Sequence, residues 1–209
     1  MVEKISTGTT TLGMICTDGI VMAADKRATA GHAVVMRDVE KVVPINERMV
    51  LTIAGGVSDI LKIIKVIKAE TRLNKLKLNR HNTAKEVANL IANIVYNNIR
   101  TAGGITHFVF AGRNDDGTFE LYDIFPDGST NLVKTFITSG SGSVYADGVM
   151  ETLYEPNLSI ADGVTLAKKA LHASLVKDSA SGNGANIYKL TANGVELVES
   201  ITVNTGLIN

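Results

Sequence analysis

The order of turns and periodicities restricts this chain more than any single motif does. "TTTLGMIC" and "GIVMAAD" are short β-rich runs joined by "TDG", and "EKVVPI" and "RMVLTIAGG" make a second pair around "NE". β-branched residues suit a pleated surface, and Gly- or Asp-rich turns of this length reverse a strand onto its neighbour. Two helices follow. Residues 58–78 place Ile60, Leu61, Ile64, Ile67 and Ala69 at helical spacing with Ser58 as N-cap. Residues 83 to about 100 carry Val87, Leu90, Ile91, Ile94 and Val95 as a stripe, with Thr83 and Glu86 in capping-box spacing. Strands return as "THFVFAG", "TFELYDIF" and "LVKTFITSG", with "NDDG" and "PDGS" as turns. A third helix is predicted from near Ser141 to before Pro156, and a fourth from Ser159, with Asp162 in box position, to Lys177. "GANIYKLT" and "GVELVESI" close a last hairpin around "ANG". Hairpins between helix pairs predict an α+β fold of antiparallel sheets with the helices in separate layers, and disfavour a doubly wound dinucleotide fold.

The chemistry can be narrowed by exclusion. No Walker A motif is present, and "SGSGS" and "SGNGA" both fail the G-x-G-x-x-G spacing. His32, His81, His107 and His172 are scattered without ligand spacing, so no metal and no cofactor is expected. The same scatter neither supports nor excludes a Ser-His-Asp triad. Twenty-one basic residues balance twenty-one acidic ones, so no net field draws the chain to nucleic acid. The run Lys62, Lys65, Lys68, Arg72, Lys75, Lys77 and Arg80 reads as a solvated helix face or a subunit contact. No apolar run approaches the roughly 18 residues of a membrane span, "MVEKISTG" has no apolar signal core, and Cys16 is the only cysteine. A cytoplasmic protein is expected.

Two charged residues stand out. Period-2 alternation puts Val21, Ala23 and Asp25 on one strand face, and Val39, Lys41 and Val43 on another. A lysine between inward valines needs a partner if buried, and Asp25 is the nearest candidate; an exposed lysine on a solvated face is the competing reading. Gly8 precedes three threonines. If the Gly8-Thr9 bond is a cleavage site, Thr9 acquires a free α-amine that titrates near 7.7–8.0 and can act as base for its own hydroxyl. A nearby lysine ammonium would lower that value further. "TIAGGVSDI" sets two glycines between a strand and a helix start, which is either a tight turn or an oxyanion site.

Taken in order, "GTTTLG", "AADKRAT", "EK", "IAGG", "TSGSGS" and "DSASG" resemble the β subunits of the archaeal proteasome core particle, members of the N-terminal nucleophile hydrolases, over nearly the whole chain. The resemblance implies a four-layer α/β/β/α sandwich. It implies that residues 1–8 are a propeptide removed autocatalytically and that 9–209 are one catalytic domain. It assigns Thr9 as nucleophile and base, Asp25 and Lys41 as the strand aspartate and lysine, and Gly55 as the oxyanion donor. Ser141, Asp178 and Ser181 are implied to hold the threonine amine and a catalytic water. The implied pocket for the residue before the cut is Ala28, Val39, Val43, Ile53 and Val57, all apolar, so cleavage after bulky hydrophobic residues is expected. Asn183 departs from the family, where a second glycine is common after the Ser-Gly, and is not expected to touch the chemistry. The implied activity is a threonine endopeptidase in seven-membered β rings stacked on α-subunit rings, degrading unfolded proteins fed by an ATPase. Two alternatives are a β subunit that fills a ring position unprocessed, and the simpler bacterial threonine peptidase, which lacks the motif seen here as "DSASG".

Overall fold

The turns read from the sequence do close antiparallel hairpins, and these stack into two sheets. The computed structural model describes residues 8–55, 57–101 and 105–203, with the side chains of 57–59 and 101 outside that description. Residues 1–7 of the expected leader, Gly56, the expected N-cap Ser58 and the pocket side chain of Val57 therefore lie outside the described residues. One sheet runs in the order β10 (Phe136–Ser139), β1 (Thr11–Cys16), β2 (Gly19–Asp25), β11 (Gly184–Thr191) and β12 (Gly194–Thr202). The other runs β5 (Val42–Asn46), β6 (Met49–Gly55), β7 (Thr106–Arg113), β8 (Phe119–Ile124) and β9 (Thr130–Val133). Helices α1 (Val57–Leu78) and α2 (Ala84–Thr101) cover the second sheet, and α3 (Ser143–Leu153) and α4 (Ile160–Lys177) cover the first.

Strict alternation along the strands sorts the side chains into three apolar layers. On β2, Val21 and Ala23 face α3 and α4, while Ile20, Met22 and Ala24 face the opposite sheet. On β7, Phe108 and Phe110 pack under α1 and α2, while Val109 and Ala111 enter the layer between the sheets. The result is the α/β/β/α sandwich that the resemblance implies.

Helix caps follow the sequence closely. Thr83 and Glu86 form a reciprocal box, with Thr83 N–H donating to Glu86 Oε2 at 2.9 Å and Glu86 N–H to Thr83 Oγ1 at 3.2 Å. Ser159 Oγ accepts the Asp162 N–H at 3.2 Å. The start of α4 is tied further by Ile160 N–H donating to Asp18 Oδ1 of the β1–β2 turn at 2.9 Å.

Three expectations change. Leu61 and Ala69 are exposed, and the buried stripe of α1 is Ile60, Ile63, Ile64, Ile67 and Thr71, the spacing that stays under one face for three turns. "LVKTFITSG" is not one strand: it breaks at Lys134 and Thr135, so that β9 edges one sheet and β10 edges the other. Helix α3 begins at Ser143, two residues later than expected. Its N-cap Gly142 offers no side-chain bond, and the Ser141 hydroxyl is engaged elsewhere. A small hairpin, β3 (Ala28–Ala30) with β4 (Ala33–Met36), is additional, and it leaves Val34, Val35 and Met36 exposed.

Candidate active site

The last residues of β2, the approach to β5 and the approach to β1 converge at one end of the sandwich. Alternation sends Asp25 to the same face as Val21 and Ala23, and its carboxylate collects four donors. Oδ1 accepts from Thr10 N–H at 2.9 Å and from Lys41 Nζ at 2.6 Å, and Oδ2 from Arg27 N–H at 3.0 Å and Gly182 N–H at 2.9 Å. Both members of the Lys41/Asp25 pair are buried, 4% and 0% exposed at the side chain, so the exposed-lysine reading is excluded. Burial pushes the Lys41 ammonium below its ordinary value, and the Asp25 charge opposes that push.

Gly8 and Thr9 lie against this pair. Gly8 N–H donates to Thr29 Oγ1 at 3.0 Å, which fixes the peptide before the threonine. Thr9 Oγ1 donates to Gly8 O at 2.6 Å, and Lys41 Nζ stands 3.5 Å from the same oxygen. The carbonyl of the Gly8-Thr9 bond thus sits between a hydroxyl and a buried ammonium.

The turn after β10 holds the other side of Thr9. Thr9 N–H donates to Ser141 Oγ at 3.2 Å, and Gly142 N–H donates to Thr9 O at 3.3 Å. Gly140 is left-handed with φ +94°, and a Cβ there would stand 2.0 Å from Thr9 O. Ser141 Oγ and Ser181 Oγ both donate to Asp178 Oδ2, at 2.6 and 2.7 Å. Since the Ser181 proton is spent on Asp178, Thr10 Oγ1 is the donor in its 2.7 Å contact with Ser181 Oγ. Ser141, Asp178 and Ser181 are therefore one network, bonded to Thr9 through Ser141 and to Thr10 through Ser181.

A small apolar cavity opens beside Thr9. Gly8, Ala28, Val39, Lys41, Ile53 and Gly55 line it, together with Ile60 and Leu61 of α1, so the exposed Leu61 has a place at the site. Glu40 also lines it, with its carboxylate accepting the Tyr188 hydroxyl at 3.0 Å. Val43 is not among these residues; it packs against the core beneath α1 and α2. Gly55 has φ +133°, and a Cβ there would meet Ile105 O at 2.3 Å, so only glycine fits this end of β6.

Sequence reasoning missed several supporting residues. Thr10 and Thr29 orient the peptide through side-chain and backbone bonds that no spacing rule announces. Arg27 ties the "DSASG" loop down, its Nε donating to Asn183 Oδ1 at 2.9 Å and its Nη1 to Ser179 O at 2.8 Å. Asn183 is left-handed with φ +65°, a conformation asparagine tolerates better than most residues, so it can stand where the resemblance leads one to expect glycine. The hint was the "DKR" string itself, whose second basic residue needed an acceptor.

Comparison with known proteins gives the family. A family model described as "Proteasome subunit" matches residues 5–190. The chain is 36% identical over 197 residues to the "Proteasome subunit beta" of Methanocaldococcus vulcanius, covering 93% of this chain and 88% of that protein. It is 35% identical over 189 residues to the protein of that name in Archaeoglobus fulgidus, covering 90% and 88%. With that of Methanobrevibacter smithii it shares 35% over 204 residues, covering 98% and 97%.

Proposed function

Because the chain belongs to the proteasome subunit family, we propose that it is a β-type core subunit working as a threonine endopeptidase that first cuts its own Gly8-Thr9 bond. One observation carries the reading: Thr9 Oγ1 donates to Gly8 O at 2.6 Å while Lys41 Nζ faces that oxygen at 3.5 Å. In the first step Thr9 Oγ1 bonds to the Gly8 carbonyl carbon and its proton passes to water. The negative charge gathers on Gly8 O, in front of the Lys41 ammonium. The C–N bond then breaks and the nitrogen takes a proton, leaving an ester between Gly8 and Thr9. Water hydrolyses that ester, so residues 1–8 leave with a new carboxylate and Thr9 keeps its hydroxyl and a free amine.

The freed amine is then the base for the same hydroxyl in later turnovers. Ser141 accepts from that nitrogen now and remains its neighbour afterwards. Lys41, kept charged by Asp25, depresses the amine's affinity for protons. Gly55 supplies the oxyanion contact for external substrates, and the network of Ser141, Asp178 and Ser181 holds the amine and the hydrolytic water.

Residues 9–209 form the working domain. The cavity walls Ala28, Val39 and Ile53 suit a bulky hydrophobic side chain before the cut. The substrates are unfolded proteins. The partners are further β copies in a seven-membered ring, an α-subunit ring and an ATPase that feeds them, in the cytoplasm. Intact mass, measured on the chain alone and after mixing with its α subunits, tests this, with Thr9→Ala alongside. A loss matching residues 1–8 in the wild type only is expected. Unchanged mass in assembled particles overturns the reading and favours an unprocessed structural subunit.

A further inference from the structure

We propose that His107 is a positioning residue which, by linking Asp123 on β8 to Ser139 at the end of β10, fixes the 140–142 turn that seats Thr9. The proposal rests on the threonine-hydrolase reading for its effect on turnover, and on geometry alone for its effect on the turn. His107 shares the face of β7 that carries Val109, so its ring enters the layer between the sheets. Its Nε2 lies 2.5 Å from Asp123 Oδ1, and its Nδ1 lies 2.7 Å from Ser139 Oγ. A carboxylate only accepts, so Nε2 carries a proton for Asp123, and in the neutral ring Nδ1 accepts the Ser139 hydroxyl. Phe125 stacks on the imidazole with centroids 5.3 Å apart.

Asp123 and Ser139 are 2% and 4% exposed. A hydroxyl this enclosed has no room to meet a substrate, so this Ser-His-Asp arrangement holds rather than reacts. What it holds is specific. The layer between the sheets is otherwise apolar at Val109, Leu121 and Ile137, and such contacts hold by burial without direction. The imidazole pins the sheets at the end where the site lies. Ser139 leads directly into Gly140 and Ser141, which touch Thr9. On the other flank, His107 sits opposite Ala54 in the β6–β7 ladder, one residue from the Thr106/Gly55 pair. A single residue, through its backbone on one side and its ring on the other, thus joins the strand that ends in Gly55 to the turn that grips Thr9.

The test uses Ser139→Ala, His107→Gln and His107→Asn. Gln keeps a donor near the Nε2 position for Asp123 and loses the link to Ser139. Asn keeps an acceptor at the Nδ1 position for Ser139. In a Thr9→Ala background, where no cleavage occurs, hydrogen exchange over residues 139–142 should rise about tenfold in Ser139→Ala and His107→Gln and return towards the parent in His107→Asn. In assembled particles that retain Thr9, kcat for a hydrophobic peptide should fall roughly tenfold in the first two with KM held within about twofold, and His107→Asn should recover most of it. Unchanged exchange in Ser139→Ala, or no advantage of Asn over Gln, overturns the proposal. Should the wild type show no peptidase activity, the hydrolase reading fails, and the exchange arm still decides whether His107 braces the turn.

Discussion

Two ion pairs in this molecule have the same length and opposite surroundings. Lys41 Nζ to Asp25 Oδ1 and Arg80 Nη2 to Glu86 Oε1 are both 2.6 Å. The first pair is sealed at 4% and 0% exposure; the second lies open at 46% and 42% beside the α2 cap. Distance alone therefore says little about what a pair does. In water a charge that loses its partner is resolvated, whereas in the interior it is stranded, so the buried pair is costly to break and the open one is not. Burial also changes character: it lowers the proton affinity of Lys41, whereas contact with Arg80 holds the Glu86 carboxyl down at about 2.

The sharpest way to break the contrast is Lys41→Ala, which leaves Asp25 buried and unpaired. We expect a loss of about 3–5 kcal/mol in unfolding free energy, read by chemical denaturation, together with loss of processing. Replacing both partners, with Lys41→Met and Asp25→Asn, should recover only part of that stability, because the stranded charge is gone but one amide oxygen cannot serve the backbone N–H groups on both sides of the carboxyl. It should recover none of the processing, because the ammonium facing Gly8 O is gone too. Gly140→Ala comes next. It forces a Cβ towards Thr9 O at a positive φ, and about 2 kcal/mol of destabilisation is expected in the same assay. The smallest effect belongs to the open pair. Glu86→Ala should lower Tm by no more than about 2 °C at pH 7. The Glu86 carboxyl titrates lower in the folded chain than in the unfolded one, so its contribution is complete above its ordinary value of 4.5 and is lost as pH falls towards 2. The Tm difference between wild type and Glu86→Ala should vanish over that window. A burial effect without any ion pair serves as a control. Cys16 is buried, which pushes its thiol up to about 12, so a thiol reagent at pH 8 should leave it unmodified until the chain is unfolded.

How far the sequence reached depended on the range of the interaction. Alternation and caps are local, and they placed Asp25 inward and marked the starts of α2 and α4 by Thr83 and Ser159. The buried lysine was legible because a cation between valines demands a partner, and Asp25, the candidate the sequence offered, meets it from the other sheet. The phase of α1 was misread because Leu61 and Ile60 are equally apolar, and only the sheet beneath decides between them. The break at Lys134 and Thr135 left no mark in a run that is β-prone throughout. The His107 cluster joins residues 16 and 32 positions apart in three strands, and its members are scattered polar residues until the sheets stack. The Ser141, Asp178 and Ser181 network was reached only through family likeness, for the same reason.

That break in the strand has a mechanical consequence. Two residues carry the chain from the outer edge of one sheet to the outer edge of the other, binding the sandwich along that side like the spine of a book. At the opposite margin, where β5 and β12 form the edges, the described residues show no two-residue link of this kind, and Val195 N–H to Glu47 O at 3.1 Å is among the bonds that join it. The Gly8-Thr9 peptide is met from both margins, at Thr9 N–H by Ser141 just beyond the spine and at Gly8 O by Lys41 just before the other edge. The lysine reaches across from the margin without that spine and is locked to Asp25 of the facing sheet, so the buried ion pair is the clasp that closes the book where the spine cannot.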